Sequence, residues 1–218
     1  MASKTFANVS IDQALDVLQS QVAELTRPGI AAFFAVIGEA LLPLYVDFSK
    51  KNRWGDVQVL REAVTKALEY ATRGASLEGT VESILKSIEN ITPDGEQFDA
   101  PDSTFAQDAA ICVDAAVRAG NPKEEINPAW VEYALQPAIT MLCEEQTGYL
   151  DLGSSEKATV WRSQALKHPG LRKAFEALSE MAEFLKGHRE EIGSSELEML
   201  RDWASRLLPK SGWPGLNS

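Results

Sequence analysis

Glu39 is the residue whose setting most invites a chemical role. Between Ile30 and Val46, in the run IAAFFAVIGEALLPLYV, it is the one ionisable side chain besides the Tyr45 phenol. Leaving a carboxylate unpaired in such apolar surroundings costs on the order of several kcal/mol. Pro43 follows one turn later and has no N–H, so the carbonyl of residue 39 loses its intrahelical donor and the helix is expected to kink. A basic group or water has to satisfy both, and Arg61 and Arg118 are the candidate bases. A buried ion pair that fixes helix register is one reading of this turn. The other is a ligand pocket at the kink, lined by Glu39, Tyr45, Asp56, Asp108 or Asp114.

The remaining polar residues carry weaker signals. Asp56 follows Gly55 and suits the positive end of the next helix. Asp108 and Asp114 fall roughly 240° apart around a helix, so they cannot share one metal on that helix alone. Asp108 lies one turn from Cys112, but with no histidine at ligand spacing the pair is a poor metal site. Asp114 and Arg118 stand in the favourable order for an ion pair. His168 and His188 read as surface residues. Cys112 and Cys143 sit on apolar helical patterns and read as buried thiols. The sequence has no glycine-rich phosphate loop, HExxH, GxSxG or CxxC motif. It therefore nominates no catalytic residue, metal ligand or cofactor, and leans away from an enzyme.

Charge says more. The 218 residues carry a net charge of -11, which disfavours nucleic acid and anionic membrane surfaces. A basic protein partner suits that charge, and a homodimer is the other assembly left open. From Ser87 to Val117 there is no lysine or arginine, while Glu89, Asp94, Glu96, Asp99, Asp102, Asp108 and Asp114 all fall there. These acids lack the alternating spacing of an EF-hand, so a solvated acidic loop is the simplest account. Asp94, Glu96, Asp99 and Asp102 are the candidate partner-binding residues. The leading expectation is an acidic protein-interaction module, an immunity or antitoxin-like protein being one form of it. The alternative is a helical bundle binding a small molecule or metal near Glu39, with an enzymatic role as its extension.

The elements that must position these residues are helical throughout. Ser10 caps a first helix with a stripe of Ile11, Leu15, Leu18, Val22 and Leu25. A second, from about Gly29 to Ser49, is apolar nearly all round and so buried on several sides. Its apolar run is broken by Glu39, Pro43 and Asp47, which favours a core helix over a membrane span. The third starts after Gly55 and closes at Gly74. Ser76 is expected to cap a fourth, and Thr92 to Pro101 is the best linker candidate. The fifth, Thr104 to Ala119, is rich in alanine, which lets neighbours approach closely and marks a central helix. Asn127-Pro128 starts a sixth. Two or three more follow, broken near His168-Pro169-Gly170 and Ile192-Gly193-Ser194, with a loose capping box at Ser195 to Glu198. The expected fold is all-α, a single bundle of about seven to nine helices with kinked central helices. It spans residues 1–208, and residues 209–218 form a flexible tail. The N-terminus lacks the apolar core of a signal peptide, which points to the cytoplasm.

The run FFAVIGEALLPLYVDFSKKNRWGDVQVLR, Phe33 to Arg61, resembles the bacterial domain-of-unknown-function 416 family, the YjaG-like proteins. The matching positions are Glu39, Pro43, Tyr45, Phe48, Trp54, Gly55, Asp56 and Arg61. DAAICVDAAVRA, Asp108 to Ala119, is similar to the family's central helix, and Gln136 to Gly148 is a weaker match. The resemblance runs over roughly residues 31–185, while the loop Thr92 to Pro101 and the helix Ser194 to Leu208 depart from it. It implies an all-helical cytoplasmic bacterial protein and supplies no reaction.

Overall fold

The computed structural model describes residues 6, 8–74, 77, 79–98, 102–147, 156–188 and 192–208. Every regular element among them is helical: α1 (Ile11–Ala23), α2 (Arg27–Asn52), α3 (Val57–Arg73), α4 (Val81–Ile91), α5 (Asp102–Ala119), α6 (Val131–Thr147), α7 (Glu156–Gln164), α8 (Pro169–Gly187) and α9 (Ser194–Ala204). Short 3₁₀ turns lead into α6 and follow α7.

Local chemistry sets most boundaries. Ser10 and Gln13 form a reciprocal capping box at the start of α1. Thr26 accepts from the N–H of Gly29, with Pro28 in the first turn of α2. The left-handed residue Gly74 ends α3. Asn127 caps the 3₁₀ turn that runs into α6. Two expectations are corrected. The fourth helix begins after Thr80, which makes no side-chain cap, and Ser76 lies outside the described residues. Gly193 precedes α9, where Ser195 bonds to its neighbour Glu196 and no capping box forms. The proposed tail, 209–218, also lies outside the described residues.

The molecule is built around α2 and α5, which share its largest helix–helix interface. α3, α6, α8 and α9 also pack on α2, while α3, α4 and α6 pack on α5. Small residues make this crowding feasible: Ala31, Ala32, Ala35 and Gly38 on α2, and Ala106, Ala109, Ala110, Ala115 and Ala116 on α5, are all buried. One continuous apolar core runs from Phe6 to Leu207. α2 is long and apolar enough to cross a membrane, with mean hydropathy 1.9, but 78% of its apolar window is buried inside the protein. It also runs unbroken through Pro43, which faces solvent.

Gly38 tests this packing. A Cβ there would lie 2.7 Å from Val113 Cγ2, with the Val113 backbone N at 3.5 Å. Gly38→Ala is expected to cost about 1–3 kcal/mol by forcing α2 and α5 apart. Gly187→Ala, where a Cβ meets nothing within 4 Å, should be neutral or slightly stabilising. Urea unfolding of the two variants checks the contrast.

Candidate functional site

Glu39 does not occupy a buried pocket. Its side chain is 40% exposed and accepts a hydrogen bond from Arg201 Nε of α9 at 2.8 Å. The expected partners are engaged elsewhere or turned away. Arg61 is exposed on α3, and Arg118 bonds Asp114 at 2.6 Å and Glu124 at 2.8 Å, lying 6.0 Å over the Trp130 ring. Asp114 is thus committed to the ion pair that its spacing predicts. The buried-carboxylate expectation failed because Glu39 shares the solvent stripe of α2 with Pro43 and Asp47.

Tyr45 is fully buried and donates from its hydroxyl to the carbonyl of Ile91 at 2.6 Å. That bond ties the middle of α2 to the end of α4. Burial pushes the phenol up to about 12; the Asp56 charge adds to this and a backbone hydrogen bond from Asp56 opposes it. Gly55 closes over the hydroxyl at φ 77°, and a Cβ there would collide with the Tyr45 oxygen. Asp56 next accepts from the N–H of Gln58 at 2.8 Å and caps α3. Phe48, Trp54 and Phe98 complete the knot, with ring centroids 5.1 to 5.9 Å apart. These rings bring the Trp-Gly-Asp turn and the acidic loop against the same end of α2.

Asp108 is different. It is 2% exposed in α5, and its Oδ2 has no hydrogen-bond partner. Burial pushes its carboxyl up to about 8, with the Glu132 charge adding to the rise. Cys112, one turn away, is a buried free thiol raised by burial and by Asp108. The five residues expected to line one pocket are therefore not gathered by a common role: Glu39, Tyr45, Asp56 and Asp114 each have a structural partner. Among the described residues no three His, Cys, Asp or Glu side chains form a group able to hold a metal ion.

In the acidic segment, Asp94 and Glu96 are exposed, and Asp94 accepts from the Glu96 N–H at 2.9 Å in a local turn. Neither makes an ion pair among the described residues. Asp102 is paired with Lys51, and Asp99 lies outside the described residues. His168 and His188, expected at the surface, are both partly buried. Nδ1 of His168 is buried, and the His188 ring packs 4.1 Å from Phe184. Sequence reasoning missed two fasteners. Arg27 donates to the carbonyls of Asn121, Pro122 and Glu124, clamping the turn after α5. Gln21 of α1 donates to Ser179 and Glu183 of α8. Buried Gln21, on the otherwise apolar stripe of α1, was the available signal for the second.

The architecture defines an all-α helical bundle in which α2 and its following turn form the most constrained part. The family model "Protein of unknown function (DUF416)" matches residues 17–145, more than half of the chain, and the chain belongs to that family. The crystal structure of a DUF416 family protein from Shewanella baltica OS155 is similar, with a TM-score of 0.67 at 20% sequence identity. The match covers 85% of this chain and 92% of that one. At this identity the likeness concerns the fold alone. No curated protein matches the chain.

Tyr45→Phe leaves the Ile91 carbonyl without its donor and is expected to cost about 1–3 kcal/mol. Glu39→Gln removes an exposed pair and should cost less than about 1 kcal/mol. Denaturation midpoints compared across the two variants test which part of the motif holds the fold.

Proposed function

We propose that the protein is a cytoplasmic bacterial interaction module that captures a basic protein partner through its acidic surface. The observation that carries this reading is the loop after α4. There Asp94 and Glu96 project into solvent without ion pairs among the described residues, inside a segment that has no lysine or arginine from Ser87 to Val117. Clustered carboxylates of this kind attract and orient a cationic surface before contact, which raises association rates. Asp102 contributes less, because Lys51 neutralises it. A partner of the toxin class, held inactive by an immunity-like protein, is one case that fits this chemistry.

Two observations disfavour a membrane location, which the cytoplasmic reading requires. The apolar helix α2 is enclosed by its neighbours rather than offered to lipid. The net charge of -11 also repels anionic membrane surfaces.

Quantitative affinity capture from the bacterium's own lysate tests the proposal. The wild-type chain is compared with Asp94→Lys/Glu96→Lys and with a control reversal at Glu62 and Glu82, exposed on α3 and α4. A specific partner should fall at least tenfold with the loop reversal alone, and its capture should weaken as salt rises. Equal capture by all three proteins would refute the acidic loop as the binding surface.

A further inference from the structure

α9 is fastened to the body of the protein differently from the central helices. Of its eleven residues only Leu200 and Ala204 are buried, whereas α5 buries twelve of eighteen. Leu207, just beyond the helix, is buried as well, and the Trp203 ring meets Phe184 of α8 edge-on at 5.4 Å. These few apolar groups seat α9 on α2 and α8. It also lies beyond residues 17–145, the part that the family model matches.

Its polar contacts are doubled. Arg201 donates from Nε to Glu39 of α2 at 2.8 Å and from Nη1 to Glu198 of α9 itself at 2.9 Å. Arg206 stands 3.7 Å from Glu180 of α8 and 2.6 Å from Asp202 of its own segment. Each arginine thus has one carboxylate on the body and another, three or four positions earlier, that travels with it. When α9 lifts, neither guanidinium is left without a partner. Glu39 and Glu180, already 40% and 39% exposed, pass into water rather than into an apolar interior. The start of α9 is also finished from within, where Ser195 donates to Glu196 at 2.9 Å.

We propose that α9 is a strap that lifts from α2 and α8 as one preformed unit while the rest of the bundle stays folded. The fixed point is Ile192, which is buried and whose N–H lies 3.5 Å from the Ala71 carbonyl of α3. Exposed Gly193 follows it and supplies the hinge. Closed, the strap pairs Glu39 and covers apolar surface on α2 and α8. Open, it frees that carboxylate and bares the Phe184 ring with the surface beneath Leu200 and Ala204. The strap therefore controls access to this flank of α2.

The balance between the two states follows from these contacts. An exposed ion pair shifts such an equilibrium by no more than about fivefold, and here the pairs within α9 offset part of that loss. Burial of Leu200, Ala204 and Leu207, with the packing of Trp203, is what holds the strap shut. The close contact between Gly38 and Val113 is made without α9, so the core persists when the strap is open.

Native-state hydrogen exchange of the full chain through a series of low urea concentrations tests this. Amides of α9 should share one opening constant, with a urea dependence well below that of the slowest amides of α2 and α5. Tyr45→Phe weakens the part that stays folded. It should speed those slowest amides by at least about fivefold and leave α9 exchange unchanged. Leu200→Ala loosens the closed state and should speed α9 exchange by at least about tenfold. If α9 exchange rises in step with α2 and α5 in Tyr45→Phe, α9 opens only when the chain unfolds, and the strap is overturned. Exchange in α9 that ignores both urea and Leu200→Ala marks fraying of single residues and overturns it equally. The urea dependence of the unmodified chain decides the matter if a variant fails to fold.

Discussion

Val113 leaves no room for a side chain at residue 38, and that contact sets the geometry of the whole bundle. With Gly38 facing it, α2 and α5 approach closely along a surface of alanines, and the other helices take their places against one or both of them. Larger residues would fill the seam and push the pair apart, leaving voids around Phe33, Phe34 and Phe48. α2 is apolar on nearly every face because neighbours cover it on several sides. The same property makes it look like a membrane span by composition alone.

A second constraint sits at the far end of α2. The Tyr45 hydroxyl, Gly55, Asp56 and the rings of Phe48, Trp54 and Phe98 lock the α2–α3 turn against the end of α4. The family-like motif from Glu39 to Arg61 is therefore mostly a device for closing this corner. Its residues are of types that often do chemistry, yet here they bond to backbone or cap a helix. Fixing the corner also fixes where the acidic loop emerges, since Phe98 is held against Trp54 and Phe48. That end of the molecule thereby presents Asp94 and Glu96 to solvent.

Local rules made much of this legible in the sequence. Helix starts at Ser10 and Asn127, the stop at Gly74, the central role of the alanine-rich helix and the Asp114–Arg118 pair all follow from spacing. What stayed hidden depended on tertiary partners. Glu39 looked buried because its sequence neighbours are apolar, but its angular position on α2 is shared with Pro43 and Asp47. Its true partner, Arg201, is 162 residues away on a helix whose contacts no local pattern discloses. Asp108 is the converse case. It lies among alanines and is buried with one carboxylate oxygen unpartnered, which spacing along the chain does not disclose.

Segment-resolved amide hydrogen exchange of the native chain at one pH tests the central claim, that the α2–α5 seam holds the structure together. Amides of α2 around Gly38 and of α5 around Val113 should exchange last, at the free energy of global unfolding, while α9 opens earlier. Slower exchange in α9 or α7 than in the α2–α5 seam would contradict the account and move the organising contact elsewhere.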